Sequence, residues 1–415
     1  MKRLITILAV ALLAFSLSFG QNPTAVAFLK EDLDRVGTNY HSYEFHDYKY
    51  TSVPRGYKEV YVSHYGRHGS RFMTYDSAHE YIVRKLTELG EAGLLNSRGE
   101  KLLDLSKQML DMNVDNLHNL SPRGYMEHAR IGDSFYKRNS KLLKGTVSVR
   151  AISSTSPRCQ NSMGSFCGAL VKNNPRIRIY QDSKKEYMTY ISNVDSASTL
   201  IKSDTRKIID SLNKTLNPEP VIRPLVTDYE KAIALFSNPI KFEKYLHVVA
   251  SIAQDLPIDI DIMDYIPFEE AYKLWSIKNA DLYLNHCNSV EFGDIRVPFA
   301  RSLAEDFITK ADESLGGGEF SVDLRFGHDY PLMSFLSYLG IEGFDKRYSV
   351  GETDNWLSSK DMHMATNIQM MFYRGKKGDI IVKLLHNERE TSIPALGPGP
   401  YYNWDMLKQY LRSRY

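Results

Sequence analysis

The stretch Glu59-Val60-Tyr61-Val62-Ser63-His64-Tyr65-Gly66-Arg67-His68-Gly69-Ser70-Arg71 decides how the rest of the chain is read. Residues 59–63 are rich in β-branched and aromatic side chains, follow the turn signal Pro54-Arg55-Gly56, and predict a short buried strand. Just beyond it, two guanidinium groups and an imidazole fall within five residues, around a glycine that lets backbone approach a ligand closely. Polar clusters at strand ends are what a doubly wound sheet uses, because its ligands bind beyond the carboxyl ends of its strands.

Working outward, helical spacing covers 78–91 and 100–112, and Ser121-Pro122-Arg123-Gly124 opens a helix running to about 141. A second strand over 146–152 leads through Ser153-Ser154-Thr155-Ser156-Pro157 into a helix over 158–171. Strands alternating with helices predict an α/β chain built on a largely parallel sheet. From 181 to 297 the strand signal fades and stretches such as 229–235 and 269–279 read as helix, which predicts an inserted, mainly α-helical subdomain. The core then comprises 21–180 and 298–415. After a helix near 300–315 and the linker Gly316-Gly317-Gly318, a strand over 320–326 runs into Gly327-His328-Asp329 and a proline-initiated helix. The segments 370–374 and 380–385 predict a closing hairpin.

Residues 1–20 carry Met1-Lys2-Arg3, an apolar run and Ser18-Phe19-Gly20 before Gln21, the pattern of a cleaved signal peptide. Export to a periplasm or the exterior is the expectation, and no membrane contact is expected after cleavage. A net charge of +2 argues against a nucleic-acid binder, so any anionic partner must be met by a local cation cluster. The 3 cysteines form no CxxC pair, and Cys159 and Cys167 stand eight apart on a predicted helix. That spacing spans about 12 Å, too far for a disulfide. His64 and His68 lack the glutamate of a zincin, and the glycine linker lacks the Gly-Lys-Ser/Thr of a P-loop, so neither metal nor cofactor is expected. The basic residues between Lys172 and Lys207 read as a solvated face.

The three strand ends together offer Arg67, His68, Arg71, Arg158, His328 and Asp329. Transfer of a phosphoryl group through an enzyme nucleophile needs these types. Arginine forks hold the equatorial oxygens bidentately and never lose charge. A neutral imidazole attacks phosphorus, and a carboxylic acid protonates the departing alkoxide, for ~10²–10⁴-fold in rate. His68 is the candidate nucleophile, Asp329 the proton donor, and Arg67, Arg71, Arg158 and His328 the phosphate contacts.

These motifs resemble the signature of the histidine acid phosphatase branch of the histidine phosphatase superfamily. Its RHGxR is Arg67-His68-Gly69-Ser70-Arg71, its third arginine follows a Ser-Thr pair as in Ser154-Thr155-Ser156-Pro157-Arg158, and its late His-Asp pair is His328-Asp329. Leu120-Ser121-Pro122-Arg123-Gly124 is similar to the family's Leu-Thr-Pro-x-Gly helix start. The resemblance implies a three-layer α/β sandwich with a helical cap over the site, and metal-free hydrolysis of phosphate monoesters. Gly37-Thr38-Asn39-Tyr40 and Tyr401-Tyr402-Asn403-Trp404 resemble multiple inositol polyphosphate phosphatases, which implies an inositol polyphosphate such as phytate as the small phosphorylated substrate. That subfamily commonly has His-Ala-Glu where this chain has His328-Asp329-Tyr330. Two other readings use the same residues: a broad acid or sugar-phosphate phosphatase, and an exported phosphate-ligand binding protein without catalysis. The last has no need of Asp329.

Overall fold

The computed structural model describes residues 21–192, 196–258 and 260–415; the expected signal peptide lies outside the described residues. Among the described residues eight strands form one sheet: β1 (Lys58–Arg67), β2 (Val147–Ser153), β3 (Ile177–Asp182), β4 (Val322–Gly327), β5 (Asn367–Arg374), β6 (Ile380–His386), β7 (Arg389–Glu390) and β8 (Tyr401–Asn403). Their order is β3-β2-β4-β1-β5-β6-β7, with β8 paired to β6. The first four in that order are mutually parallel, and β5 to β8 add antiparallel pairs, so the sheet is mixed with a parallel half. β1 runs four residues past the expected end, because His64 and Tyr65 are as buried as the apolar residues before them.

The helices of ten residues or more are α1 (Ser77–Glu91), α2 (Ser97–Val114), α3 (Pro122–Arg138), α4 (Pro157–Asn173), α5 (Ser196–Asn213), α6 (Pro239–Ala253), α7 (Phe268–His286), α8 (Arg301–Leu315), α9 (Asp329–Leu339) and α10 (Trp404–Ser413). Strand alternation assigns the two faces of the sheet. Val62, Val149, Leu324 and Phe326 pack with Phe135 of α3 and Phe166 of α4. Tyr61, Tyr65 and Met370 pack with Phe307 of α8, Phe335 of α9 and Leu407 of α10. Helices therefore cover both faces, the three-layer sandwich expected.

A third apolar cluster joins Ile82 and Leu86 of α1 and Leu102 of α2 to Ile208, Leu246 and Trp275 of α5, α6 and α7. The helical layer thus draws on α1 and α2 as well as on the inserted segment. An amphipathic helix reads the same in sequence whether its apolar stripe meets a sheet or other helices. β3 was not anticipated: it is an edge strand whose residues are mostly solvent-facing, so its apolar alternation is too short to stand out.

Topology brings the three polar clusters together. β4 lies between β2 and β1, with Arg67 opposite Gly327 and Ser153 opposite Phe326, so the carboxyl ends of these strands are adjacent and level.

Candidate active site

The loop after β1 is held from several sides. His68 N donates to Gly327 O (2.9 Å), Ala365 N to His68 O (3.0 Å) and Gly69 N to Ser162 Oγ (3.1 Å). Ser70 donates twice to Glu127 of α3, from its N–H and from its hydroxyl, both at 2.7 Å. The helix start at Ser121 is docked on the same loop, Ser121 N donating to Ser70 O (2.9 Å) while Ser121 Oγ caps α3 at Gly124 N (3.3 Å). The two glycines are needed by this contact. A Cβ on Gly69 would lie 2.8 Å from Gly124 Cα, and one on Gly124 only 2.2 Å from Ser70 O. The first motif and the helix-start motif are thus two sides of one backbone-to-backbone contact.

His68 is buried, with Nδ1 3.0 Å from Gly69 O. A carbonyl only accepts, so Nδ1 carries the proton and the Nε2 lone pair is free. Burial, then the charges of Arg158, Arg67 and Arg71, hold the imidazole well below its ordinary range, which keeps it neutral in acid. Arg67 NH1 donates to Asn39 O and to Met362 O (3.0 Å), and NH2 pairs with Asp329 Oδ2 (3.0 Å). Arg71 NH1 donates to Phe72 O (2.8 Å), and its guanidinium lies 5.2 Å from the Tyr40 ring centre. Arg67, Arg71 and Arg158 each keep a buried Nε with no acceptor among the described residues. Native proteins rarely leave such donors unpaired, and three around one imidazole mark an anion site.

His328 sits edge-on to His68, with ring centres 5.7 Å apart. Arg158 NH2 donates to its Nδ1 (3.3 Å), so Nε2 carries the proton and donates to Ser154 Oγ (2.9 Å). Burial and the neighbouring Arg158 lower this ring to about 4. Both ring nitrogens of His328, expected to contact phosphate, are engaged by Ser154 and Arg158. Burial alone would raise the carboxyl of Asp329, but Arg67, His328 and a hydrogen bond from Asn39 outweigh it and bring it to about 2. His64 is set behind the site, its ring 5.2 Å from Phe166 and 5.4 Å from Phe326.

Four further residues around the site were given no chemical role by the sequence, although Asn39 and Tyr40 belong to the Gly37-Thr38-Asn39-Tyr40 stretch that carries the resemblance. Asn39 and Tyr40 share one turn, Glu127 lies on α3 and Lys278 on α7, and the fold brings these elements to the site. Lys278 of α7 pairs with Asp281 (2.9 Å) and lines, with Tyr40, Thr38 and Lys244, a cavity of about 290 Å³ on the helical side of the site. Among the described residues, one trio has metal-ligand atoms within 4.8 Å of one another: Asp32, His41 and Glu44. Its histidine is already engaged on both nitrogens, by Gln254 (3.0 Å) and Glu44 (2.8 Å), and Glu44 also pairs with Arg35 (2.9 Å). All three cysteines are free and buried.

Comparison with protein-family models and with curated proteins gives no match. Solved structures do match. The multiple inositol polyphosphate phosphatase of Bifidobacterium longum in complex with phosphate is similar with a TM-score of 0.78 at 16% identity, over 91% of this chain and 98% of that one. The same protein in complex with inositol hexasulfate gives 0.71 at 17% identity, with the same coverage. The phytase from D. castellii gives 0.71 at 16% identity, over 93% of this chain and 86% of that one. Likeness at these identities establishes the fold, and at that level the resemblance expected from the motifs holds.

Proposed function

We propose that this chain is a histidine acid phosphatase that hydrolyses phosphate monoesters through a phosphohistidine on His68, with inositol polyphosphates such as phytate as substrate. The observation that carries this reading is the set of three guanidinium groups, each with a buried and unpaired Nε, around a neutral imidazole whose Nε2 is free.

Arg67, Arg71 and Arg158, the last oriented by His328, bind the equatorial oxygens of the phosphoryl group and stabilise the charge that develops on them. Nε2 of His68 attacks phosphorus in line as the ester P–O bond breaks, and the departing alkoxide takes the proton of Asp329. Water then attacks the phosphohistidine, Asp329 takes one of its protons, and phosphate leaves with His68 neutral again. In this geometry Asp329 is held as a carboxylate by Arg67. A phosphate dianion draws that guanidinium to its own oxygens and repels negative charge on Asp329, so binding the substrate raises the acid's affinity for the proton it must deliver.

Two features support a polyphosphorylated substrate: the fold is shared with phosphatases of that class, and the helical side adds Lys278 and Lys244 around a cavity that adjoins Tyr40. Export, with residues 1–20 removed, is part of the same reading. The test is phosphate release from inositol hexakisphosphate, a glucose phosphate and an aryl phosphate at acidic and neutral pH, with His68→Ala as control. Preference for the hexakisphosphate, abolished in the variant, is expected. Turnover of only the small esters contradicts the substrate assignment, and full activity of His68→Ala contradicts the mechanism.

A further inference from the structure

We infer that the turn Gly37-Thr38-Asn39-Tyr40 is a positioning element for Asp329, in which the Asn39 amide decides which carboxyl oxygen is free to carry the catalytic proton. The inference rests on the phosphatase reading above and adds a residue to it.

Asn39 Nδ2 donates to Asp329 Oδ2 at 2.7 Å, and Arg67 NH2 meets the same oxygen at 3.0 Å. Oδ2 therefore has two donors. Among the described residues Oδ1 accepts only the N–H of Tyr330 (3.0 Å), which leaves it a lone pair for a proton. The carboxylate sets the amide orientation: it can only accept, so the NH₂ end of Asn39 faces Asp329, while Thr38 Oγ1, which donates to Gly37 O (2.7 Å), lies 3.3 Å from Asn39 Oδ1. The carbonyl of Asn39 takes the other arm of Arg67, tying acid, amide and guanidinium into one ring of contacts. Tyr40, next in the chain, lies against Arg71. One turn thus touches the acid and two of the three arginines.

The backbone supports a functional reading. Thr38 is β-branched yet has φ 57° and ψ −125°, a conformation that persists only where the surroundings impose it and that clusters at working sites. Here α6 does so. His247 Nε2 lies 3.1 Å from Val36 O, Gln254 Nε2 donates to Asp34 O (3.0 Å), and a Cβ on Gly37 would sit 3.1 Å from Gln254 Nε2 and 3.3 Å from Ser251 Cβ. The helical layer, through this turn, reaches the acid.

The titratable and charged groups around Asp329 come from every side: Arg67 and Tyr65 on β1, Arg158 and Cys159 on α4, His286 on α7, Tyr40 on the turn, and His328 and Tyr330 beside it in the chain. Of these, Arg67 is drawn to the substrate phosphate. Asn39 is neutral and stays on Oδ2 throughout the cycle, keeping Oδ1 as the exchanging oxygen.

The test has two readouts on wild type, Asn39→Ala and the near-isosteric Asn39→Asp. The first follows the Asp329 carboxyl by ¹³C resonance against pH in aspartate-labelled protein, with Asp329→Asn assigning the signal. Loss of a charge-assisted hydrogen bond is expected to move its midpoint up by about one pH unit in Asn39→Ala, and a second carboxyl by more than that in Asn39→Asp. The second is the pH profile of kcat on inositol hexakisphosphate, where the basic limb is expected to move up with the midpoint. In Asn39→Ala, kcat should fall about tenfold or more with KM within about threefold. An unmoved midpoint in both variants overturns the inference, as does an unmoved basic limb in an active enzyme. A moved midpoint in a wild-type protein without phosphatase activity overturns the phosphatase reading and leaves Asn39's hold on the Asp329 proton intact.

Discussion

Replacing Gly124 by alanine is expected to destabilise the protein, whereas the same change at Gly164 should stabilise it. Both glycines are helical, in α3 and α4, and alanine is favoured over glycine in a helix interior by about 1 kcal/mol. At Gly164 the added methyl meets nothing within 4 Å, so most of that gain should appear. At Gly124 it would lie 2.2 Å from Ser70 O and 2.7 Å from Leu120 Cδ1. Carbon atoms pack at roughly 3.5 Å, so the Ser70 backbone or α3 must give by about 1 Å. Overpacking of this kind costs ~1–3 kcal/mol, enough to reverse the sign. Ser70 follows His68 by two residues and precedes Arg71, and a displacement of about 1 Å in a reacting constellation can cost ~10²-fold in rate. The assays are denaturant titration, read as a change of midpoint at constant slope, and phosphate release from inositol hexakisphosphate. Gly124→Ala should lose stability and about ten- to a hundredfold in kcat, while Gly164→Ala gains stability at unchanged kcat. If the two variants are equally stable and equally active, the account of the paired glycines is wrong.

Asp255 is buried against Glu127; burial first, then that neighbouring charge, raise its carboxyl to about 8 from 3.8. Over that range the unfolded chain binds fewer protons than the folded one, so this group's contribution to stability falls as pH rises. Asp255→Asn should therefore gain about 1–2 kcal/mol on wild type between pH 5 and pH 8 in denaturant titrations, and a constant difference contradicts the assignment. Lys278→Met should raise KM for inositol hexakisphosphate about tenfold while leaving an aryl phosphate nearly unaffected; equal effects on both remove Lys278 from substrate binding. Because the nucleophile must be neutral and its pKa is depressed, activity should persist well below pH 6.5, and because Asp329 must carry a proton it should decline on the alkaline side. A kcat/KM profile with an acid limb near 6.5, or one still climbing past pH 8, contradicts these roles in turn.

The parts of the fold legible in the sequence are those whose signal is local. The strand entering His68, the capped start at Ser121-Pro122 and the strand running into His328-Asp329 each carry their own turn, cap and periodicity. The six named side chains were legible for a related reason: they are concentrated types at strand ends, and sheet topology gathers such ends. The contacts of Asn39 and Glu127 were not: Asn39 stood out only within the Gly37-Thr38-Asn39-Tyr40 resemblance and Glu127 not at all, until a partner about 290 residues away, Asp329, or one 57 residues away, Ser70, is seen. The sharing of one apolar core by α1, α2 and the inserted helices was hidden likewise, because periodicity reports which face of a helix is buried but not against what. His328 shows the same limit. Its type and place suggested direct phosphate contact, while its bonds to Ser154 and Arg158 are visible only in the fold.

The central claim is that phosphate passes through His68. Rapid mixing with inositol hexakisphosphate carrying labelled phosphate, quenched in alkali because phosphohistidine is acid-labile, followed by peptide mapping, tests it most directly. The account predicts transient label on the peptide containing His68, absent in His68→Ala and longer-lived in Asp329→Asn with an aryl phosphate, whose leaving group needs no proton. Phosphate released at full rate with no label ever on the protein would contradict it.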